Sequence, residues 1–219
     1  MLLKFHLVVL VVIAVSVNTY SQVFESIEKA AAQYFINLSN KNLDADNDLI
    51  KLKDLLFQSY DKVEFENNFQ SSMTAFDSLK NHFNKYETAI RNISKDSALV
   101  LFNQFYLHFS NLFYNYADEK FFSSNKTKLL FFSTSMSCHC TLEMCKKQTI
   151  EILNLSKEEN LVYWIIDSYE HNELQIKYET LFAPSLILFD GNNNVLHKIE
   201  YDENLLSKLS EFIKTKLKG

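Results

Sequence analysis

The sequence predicts a chain of two parts: an all-α helical region, and after it an α/β domain in which helices flank a central sheet. Three observations predict this division. Apolar residues recur at helical spacing over residues 22–124. From residue 125 to residue 219, short apolar runs alternate with helical segments, which is typical of strands covered by helices. The only proline, Pro184, stands at the start of one of these short runs, where a strand tolerates it.

The first 21 residues predict a cleaved signal peptide. Lys4 precedes an apolar run over residues 7–17, and Thr19 and Ser21 place small residues where a signal peptidase reads the chain. The run is about 11 residues long, shorter than the roughly 20 that a spanning helix needs, although an uncleaved anchor stays open as an alternative. We therefore expect an exported protein, periplasmic or extracellular, with no integral span after cleavage. In such an oxidising compartment, closely spaced cysteines are redox-active, paired or metal-bound.

Composition excludes several classes of function. The 219 residues contain 22 basic and 27 acidic side chains, a formal net charge of −5. An acidic chain lacks the basic surface that a nucleic-acid partner requires, so we expect none. With only two glycines, the chain cannot form the glycine-rich loops that bind nucleotide phosphates.

In the first part, amphipathic stripes predict four helices that form a bundle-like unit. The stripes run over residues 24–38, 49–56, 65–93 and 101–113, the third as one long helix. Phenylalanine and tyrosine at this spacing fill a core more often than they form a ligand site. This half of the chain shows no recognisable chemistry.

In the second part, the predicted order of elements is strand, helix, strand, helix, strand, strand, helix. The predicted ranges are 128–132, 143–155, 161–166, 170–181, 185–189, 195–200 and 203–217. Asp190 and Gly191 begin a turn, and the three Asn residues that follow tolerate a positive φ. The last two strands are therefore expected to pair in antiparallel fashion.

Three segments of this second part resemble the thioredoxin-fold superfamily, in particular exported thioredoxin-like proteins of bacteria. They are residues 128–133 (KLLFFS), 135–140 (SMSCHC) and 183–189 (APSLILF), within a resemblance that covers residues 128–219. The resemblance implies a cis bond before Pro184, which would face the cysteines, with the Ala183 backbone pairing with an extended substrate. One departure is plain: the Cys-x-x-Cys motif of the family is replaced by the spacings Cys138-x-Cys140 and Cys140-x4-Cys145.

The spacing of the cysteines leaves two arrangements open. A helix that begins near Thr141 places Cys138 at its N-terminus, where free amides and the helix dipole favour a thiolate. Cys140 is then the nearby resolving thiol, and Cys145 lies about 10 Å further along the helix, too far for a disulfide to Cys138. A helix that begins near Cys145 instead makes residues 140–145 an expanded redox loop.

These features favour a thiol–disulfide oxidoreductase that acts on protein or peptide cysteines and needs no cofactor. Cys138 is the expected nucleophile, Cys140 or Cys145 resolves the mixed disulfide, and His139 could stabilise a thiolate when it is protonated. Two alternatives stay open. Cys138, Cys140 and Cys145 could hold copper or zinc in a metal-handling protein, since Met136, His139 and Met144 add soft or borderline ligands. Otherwise the chain is a redox-inert binding module.

Overall fold

The structure is a computed structural model that describes residues 25–69, 72–112 and 114–217. These residues form a mixed α/β structure in which a four-stranded sheet is flanked by helices. The predicted signal peptide, residues 1–21, lies outside the described residues. Within them, no helix has both the length and the apolar character that crossing a bilayer requires. The division into two domains at residue 125 stays a prediction.

The described elements that precede the sheet are helices. They are α1 over residues 25–39, α2 Ala45–Leu56, α3 Lys62–Phe69, α4 Met73–Ile90, α5 Lys95–Leu112 and α6 Tyr114–Ser123. The single long helix predicted over residues 65–93 is wrong. Ser72 has extended backbone and its side chain accepts a hydrogen bond from the Ala75 amide, so it caps a new helix instead of continuing the old one.

The sheet contains four strands, with helices between and after them. The elements are β1 Lys128–Ser133, α7 His139–Glu158, β2 Val162–Asp167, α8 Glu173–Tyr178, β3 Ser185–Phe189, β4 Val195–Glu200 and α9 Leu205–Phe212, which continues as a π-helical turn over Ile213–Leu217. The strand order is β2-β1-β3-β4. Strand β2 runs parallel to β1, whereas β3 is antiparallel to both β1 and β4.

The two central strands are continuous apolar runs because both of their faces are covered. Every residue of β1 and β3 is buried. Successive side chains of a strand point to opposite faces, so Leu129 and Phe131 pack in one core, whereas Leu130 and Phe132 pack in the other. Helices therefore cover both sides of the sheet.

The helices of the first part pack on one another and on α7. Their shared core is largely aromatic, and each buried aromatic ring contributes roughly 1.5–3 kcal/mol of burial free energy. Leu142 of α7 belongs to the same core, so the helix that follows the cysteines touches both parts of the molecule. The buried rings are Tyr34, Phe35, Phe65, Phe76, Phe83, Tyr86, Phe102, Phe105, Tyr106 and Phe109.

Helix α8 is shorter than the predicted helix over residues 170–181. Its C-cap, Glu179, adopts a left-handed conformation with φ of 54°. The amide of Glu179 donates to the carbonyls of Gln175 and Ile176, which ends the helix in the way that left-handed C-terminal residues do. Residues 179–184 then connect α8 to β3.

The turn between β3 and β4 forms at the predicted residues. The Asp190 carboxylate accepts hydrogen bonds from the amides of Asn192 and Asn194, each at 2.8 Å. The positive φ belongs to Asn193, at 67°, and not to Gly191. Gly191 is needed for space, because a Cβ atom there would lie 2.2 Å from the carbonyl oxygen of Asn125.

The sheet register brings the cysteine turn and the proline to the same end of the two central strands. Ser133, the last residue of β1, pairs with Asp167 at the end of β2. Phe132 pairs with Ser185, the first residue of β3. The segment that follows β1 leads to Cys138, and the segment that precedes β3 contains Pro184. These two segments therefore meet at the same end of the sheet.

Candidate functional site

The cysteine turn places two free thiols at the start of α7. Cys138 is the N-cap, with extended backbone, and the helix begins at His139. Cys138 and Cys140 are exposed, and their Sγ atoms lie 2.7 Å apart. Of the two predicted arrangements, this is the one with Cys138 at the helix N-terminus; the alternative of a helix that begins near Cys145 is wrong.

The surroundings of Cys138 favour its thiolate. The pKa of this thiol falls from the ordinary 9.0 to about 7, first because of the hydrogen bond with the Cys140 thiol and next because of that with the Thr141 hydroxyl. Thr141 Oγ1 lies 3.2 Å from the Cys138 Sγ, and the Thr141 amide also interacts with the sulfur. A thiol with this pKa is substantially ionised at neutral pH, which is the form that attacks disulfides.

Cys145 has the opposite environment. Its side chain is fully buried, and burial raises the pKa of the thiol, an effect that the neighbouring Lys146 charge only partly offsets. The structure brings Cys138 and Cys140 together at the surface and places Cys145 in the interior. Cys145 in this position is a packed core residue.

His139 points toward α1. Its Nε2 lies 2.7 Å from the Ser39 Oγ and 3.8 Å from a carboxylate oxygen of Glu143. Asn40 also donates to Glu143, so the end of α1 is attached to the first turn of α7 by two polar contacts. The groups that lower the pKa of Cys138 are Cys140, Thr141 and Ser137.

The segment before β3 is held from the end of β4. The Ala183–Pro184 peptide bond is cis, as predicted. Glu200 accepts hydrogen bonds from the amides of Leu181 and Phe182. The Tyr201 amide donates to the Pro184 carbonyl at 2.8 Å. The backbone of residues 181–184 is thus fixed by hydrogen bonds with the Glu200 carboxylate and the Tyr201 amide.

Cys138 and Ala183 line the same cleft, whose volume is about 530 Å³. Large apolar side chains at its border are exposed: Met136 by 64%, Leu181 by 76%, Phe182 by 60% and Tyr201 by 51%. The lining residues are Thr134, Met136, Ser137, Cys138, Thr141, Ser168, Gln175, Leu181, Phe182, Ala183 and Tyr201. Apart from the Cys138 thiolate, none of these side chains carries a formal charge at neutral pH.

The residues that the metal alternative requires do not converge. Within residues 25–69, 72–112 and 114–217, no three His, Cys, Asp or Glu side chains are grouped so that they could hold an ion. Cys138 and Cys140 are adjacent, whereas Cys145 lies in the core. The donor set of three thiolates is therefore not assembled in this conformation.

Three residues of the cleft region are missed by the sequence reasoning: Phe182, Glu200 and Tyr201. The sequence contains a signal for one of them, Glu200. The predicted antiparallel pairing of residues 185–189 with 195–200 places Glu200 opposite Ser185, as the structure has it, and so beside Pro184. No sequence pattern indicates that the Tyr201 side chain reaches back to α7.

Comparisons with known proteins give remote structural similarity. No family model and no curated protein matches the chain. Among solved structures, the J-Trx1 fragment of ERdj5 matches with 12% sequence identity and a TM-score of 0.34, over 90% of each chain. A TM-score at this level does not establish a shared fold, so function has to be inferred from this chain's own residues.

Proposed function

We propose that this chain is an exported thiol–disulfide oxidoreductase that acts on protein cysteines through Cys138 and Cys140. One observation carries the proposal. Cys138 is an exposed thiol with a pKa of about 7, located 2.7 Å from a second exposed thiol and in one cleft with Ala183. A low-pKa thiol, an adjacent thiol and a place for a substrate are what disulfide exchange requires.

We further propose that residues 125–219 form a thioredoxin-like domain, with residues 22–124 as a helical addition. Support comes from the order of elements β1-α7-β2-α8-β3-β4-α9, with the cysteine turn directly after β1 and the cis proline directly before β3. The two buried central strands, β1 and β3, run in opposite directions. The hairpin makes β4 antiparallel to β3. The exported location rests on the predicted signal peptide alone.

The chemistry consists of two exchange steps. The Cys138 thiolate attacks one sulfur of a substrate disulfide; a new S–S bond forms, the substrate bond breaks, and the departing sulfur leaves as a thiolate that takes a proton from water. The Cys140 thiolate then attacks the Cys138 Sγ and releases the second substrate sulfur. The substrate gains two electrons, and the protein becomes a Cys138–Cys140 disulfide. Run in reverse, the same steps oxidise a substrate dithiol.

The cleft suits an extended, largely uncharged polypeptide. The exposed apolar side chains of Met136, Leu181 and Phe182 offer surface for substrate residues beside the cysteine. The Ala183 backbone, fixed by its neighbours' hydrogen bonds to Glu200 and Tyr201, offers main-chain groups for an extended chain. A substrate held in this way presents its disulfide to Cys138.

The test is disulfide reduction of insulin with dithiothreitol as electron donor. We expect Cys138→Ser to lower the catalysed rate about 100-fold or more, because the nucleophile is removed. Cys140→Ser retains the first step, so in a parallel incubation with insulin without dithiothreitol a disulfide-linked adduct accumulates on a non-reducing gel. Cys145→Ala is the matched control, with a rate within about twofold of wild type because this thiol is buried away from the cleft.

Two results contradict the proposal. Undiminished activity in the Cys138→Ser, Cys140→Ser double variant excludes these thiols as the reactive pair. Stoichiometric binding of copper(I) or zinc that is lost with either cysteine, together with absence of exchange in the wild type, favours the metal-handling alternative instead.

A further inference from the structure

Tyr201 has an unusual backbone conformation beside the reactive cysteine. It follows the last residue of β4 and has a φ of 44°, in the left-handed region that bulky side chains rarely adopt. Such conformations are unfavourable in free energy and cluster at functional sites. The conformation is held in part by the hydrogen bond from the Tyr201 amide to the Pro184 carbonyl.

The Tyr201 side chain is half-exposed and lines the cleft. Its ring packs edge-on against Phe182, with ring centroids 6.2 Å apart. Its hydroxyl oxygen lies 3.3 Å from the Thr141 Oγ1, and this atom lies 3.2 Å from the Cys138 Sγ. Thr141 is itself buried, at 4% exposure, so few water molecules compete for its hydroxyl group.

The number of protons on each group shows which group donates each hydrogen bond in this chain of contacts. A tyrosine hydroxyl and a threonine hydroxyl each carry one proton, and a thiolate carries none. If Tyr201 donates to Thr141, the single Thr141 proton is free to donate to the sulfur. Hydrogen bonds in such a chain polarise one another, which strengthens the donation to the charged atom.

We propose that Tyr201 is a positioning residue that, through Thr141, directs a hydrogen bond onto the Cys138 thiolate. The inference rests on the proposed function for its purpose, because a stabilised thiolate is both the attacking group of the first exchange step and the leaving group of the second. Thr141 occupies the place that a second cysteine has in a Cys-x-x-Cys motif, and here it supplies a hydroxyl donor in place of a thiol.

The other titratable groups around Cys138 are few. Cys140 belongs to the same turn, and its hydrogen bond lowers the pKa of Cys138 the most. His139 is engaged with Ser39 and Glu143. The remaining residues that line the cleft with Cys138 carry no formal charge. A change in the titration of Cys138 after substitution of Tyr201 or Thr141 is therefore readily assigned to this hydrogen-bond chain.

The experiment measures the rate of Cys138 alkylation by iodoacetamide against pH, with the modified site identified by peptide mass spectrometry. We expect Thr141→Val to raise the titration midpoint by about one pH unit, or about tenfold less thiolate below the midpoint. Tyr201→Phe keeps the ring and removes only the hydroxyl, and we expect it to raise the midpoint by about half a unit. Tyr169→Phe is the matched control: this tyrosine is 56% exposed and does not line the cleft, so the midpoint stays unchanged.

The double variant decides whether Tyr201 acts through Thr141. In the Thr141→Val background, Tyr201→Phe should cause no further shift, because the intermediate hydroxyl is already absent. An unchanged midpoint in Tyr201→Phe, or an equal shift in both backgrounds, overturns the inference. Alkylation needs no protein substrate: a shift without insulin reduction leaves the inference standing and refutes the proposed function, and insulin reduction without a shift does the reverse.

Discussion

The first turn and the second turn of α7 carry the same side chain in opposite chemical states. Cys138, at the N-terminus, is exposed, and its thiol has a pKa lowered to about 7. Cys145, about 10 Å further along the helix axis, is fully buried, and its thiol has a raised pKa. Helix position and helix phase, rather than proximity in sequence, therefore separate the reactive cysteine from the structural one.

The second turn is buried because the helices of the first part cover it. Lys146, next to Cys145, is fully buried, and its ammonium lies 3.4 Å from the centroid of the Tyr106 ring of α5. Among the described residues this ammonium has no hydrogen-bond acceptor, so its compensation comes from the ring contact and from the nearby acidic groups Cys145, Asp167 and, last, Glu28. In the first turn, by contrast, Cys138 is exposed.

The largest expected contrast is in thiol reactivity. In the native protein at pH 7, we expect iodoacetamide to modify Cys138 at least about 1,000-fold faster than Cys145, because one thiol is ionised and exposed, and the other is neither. Quenched time points analysed by peptide mass spectrometry give both rates. In denaturant, where both thiols are solvated, the ratio should fall to within about tenfold. Comparable native rates would remove the distinction between the two turns.

The second prediction concerns Glu28 of α1, which lies near the buried Lys146 of α7, and its effect on stability at different pH values. Burial raises the pKa of Glu28 to about 7, against a usual 4.5, so the folded protein binds a proton between these values that the unfolded chain has released. Stability from this group is thus greatest below pH 4.5 and is lost as pH rises toward and through 7. From pH 5 to 7.5, we expect the free energy of unfolding of the wild type to fall by about 1–2 kcal/mol relative to Glu28→Gln.

Urea unfolding of both proteins at several pH values measures this difference. Glu119→Gln, at an exposed position, is the control for the same chemical change. A difference between wild type and Glu28→Gln that grows in the opposite direction, in favour of the wild type as pH rises, would mean that the Lys146 charge outweighs the burial of Glu28.

The smallest expected effect is at the exposed turn. Adjacency in sequence suggested that His139 stabilises the thiolate, but its Nε2 is engaged with Ser39 and Glu143. We expect His139→Asn to change the rate of Cys138 alkylation by less than about twofold at any pH, because the hydrogen bonds to the sulfur come from other residues. A rise of the titration midpoint by a full unit would restore the role that adjacency suggested.

Much of the sheet and its edge could be predicted because local patterns specify it. The apolar runs of β1 and β3, the hairpin of β4 and the cis bond at Pro184 follow from buried-strand composition, turn residues and the quoted resemblance. The break at Ser72 could not be predicted from the apolar stripe, because that stripe continues in register across it. The side chain of Ser72 caps the helix that begins at Met73 and so separates it from the preceding helix.

The rest of the site depends on contacts between distant segments, which one sequence does not reveal. The burial of Cys145 depends on α7 lying against the end of β1, where Ser133 and Thr134 contact its thiol. The contact between Tyr201 and Thr141 joins positions 60 residues apart through a left-handed backbone conformation. Neither feature has a periodic pattern, because each depends on the three-dimensional arrangement of elements that are separately ordinary.

Gly191 carries a practical consequence for anyone who trims this protein. The hairpin tip that contains Gly191 rests on the carbonyl of Asn125, and the buried Lys128 ammonium donates to the Ser124 carbonyl nearby. A fragment that starts after residue 125 lacks both carbonyls. The hairpin tip then loses its contact with Asn125, and the buried Lys128 ammonium loses its hydrogen bond to Ser124. Shortened versions of the protein should therefore keep residues 124 and 125. Residues inserted at this point would separate the hairpin tip from the Asn125 carbonyl.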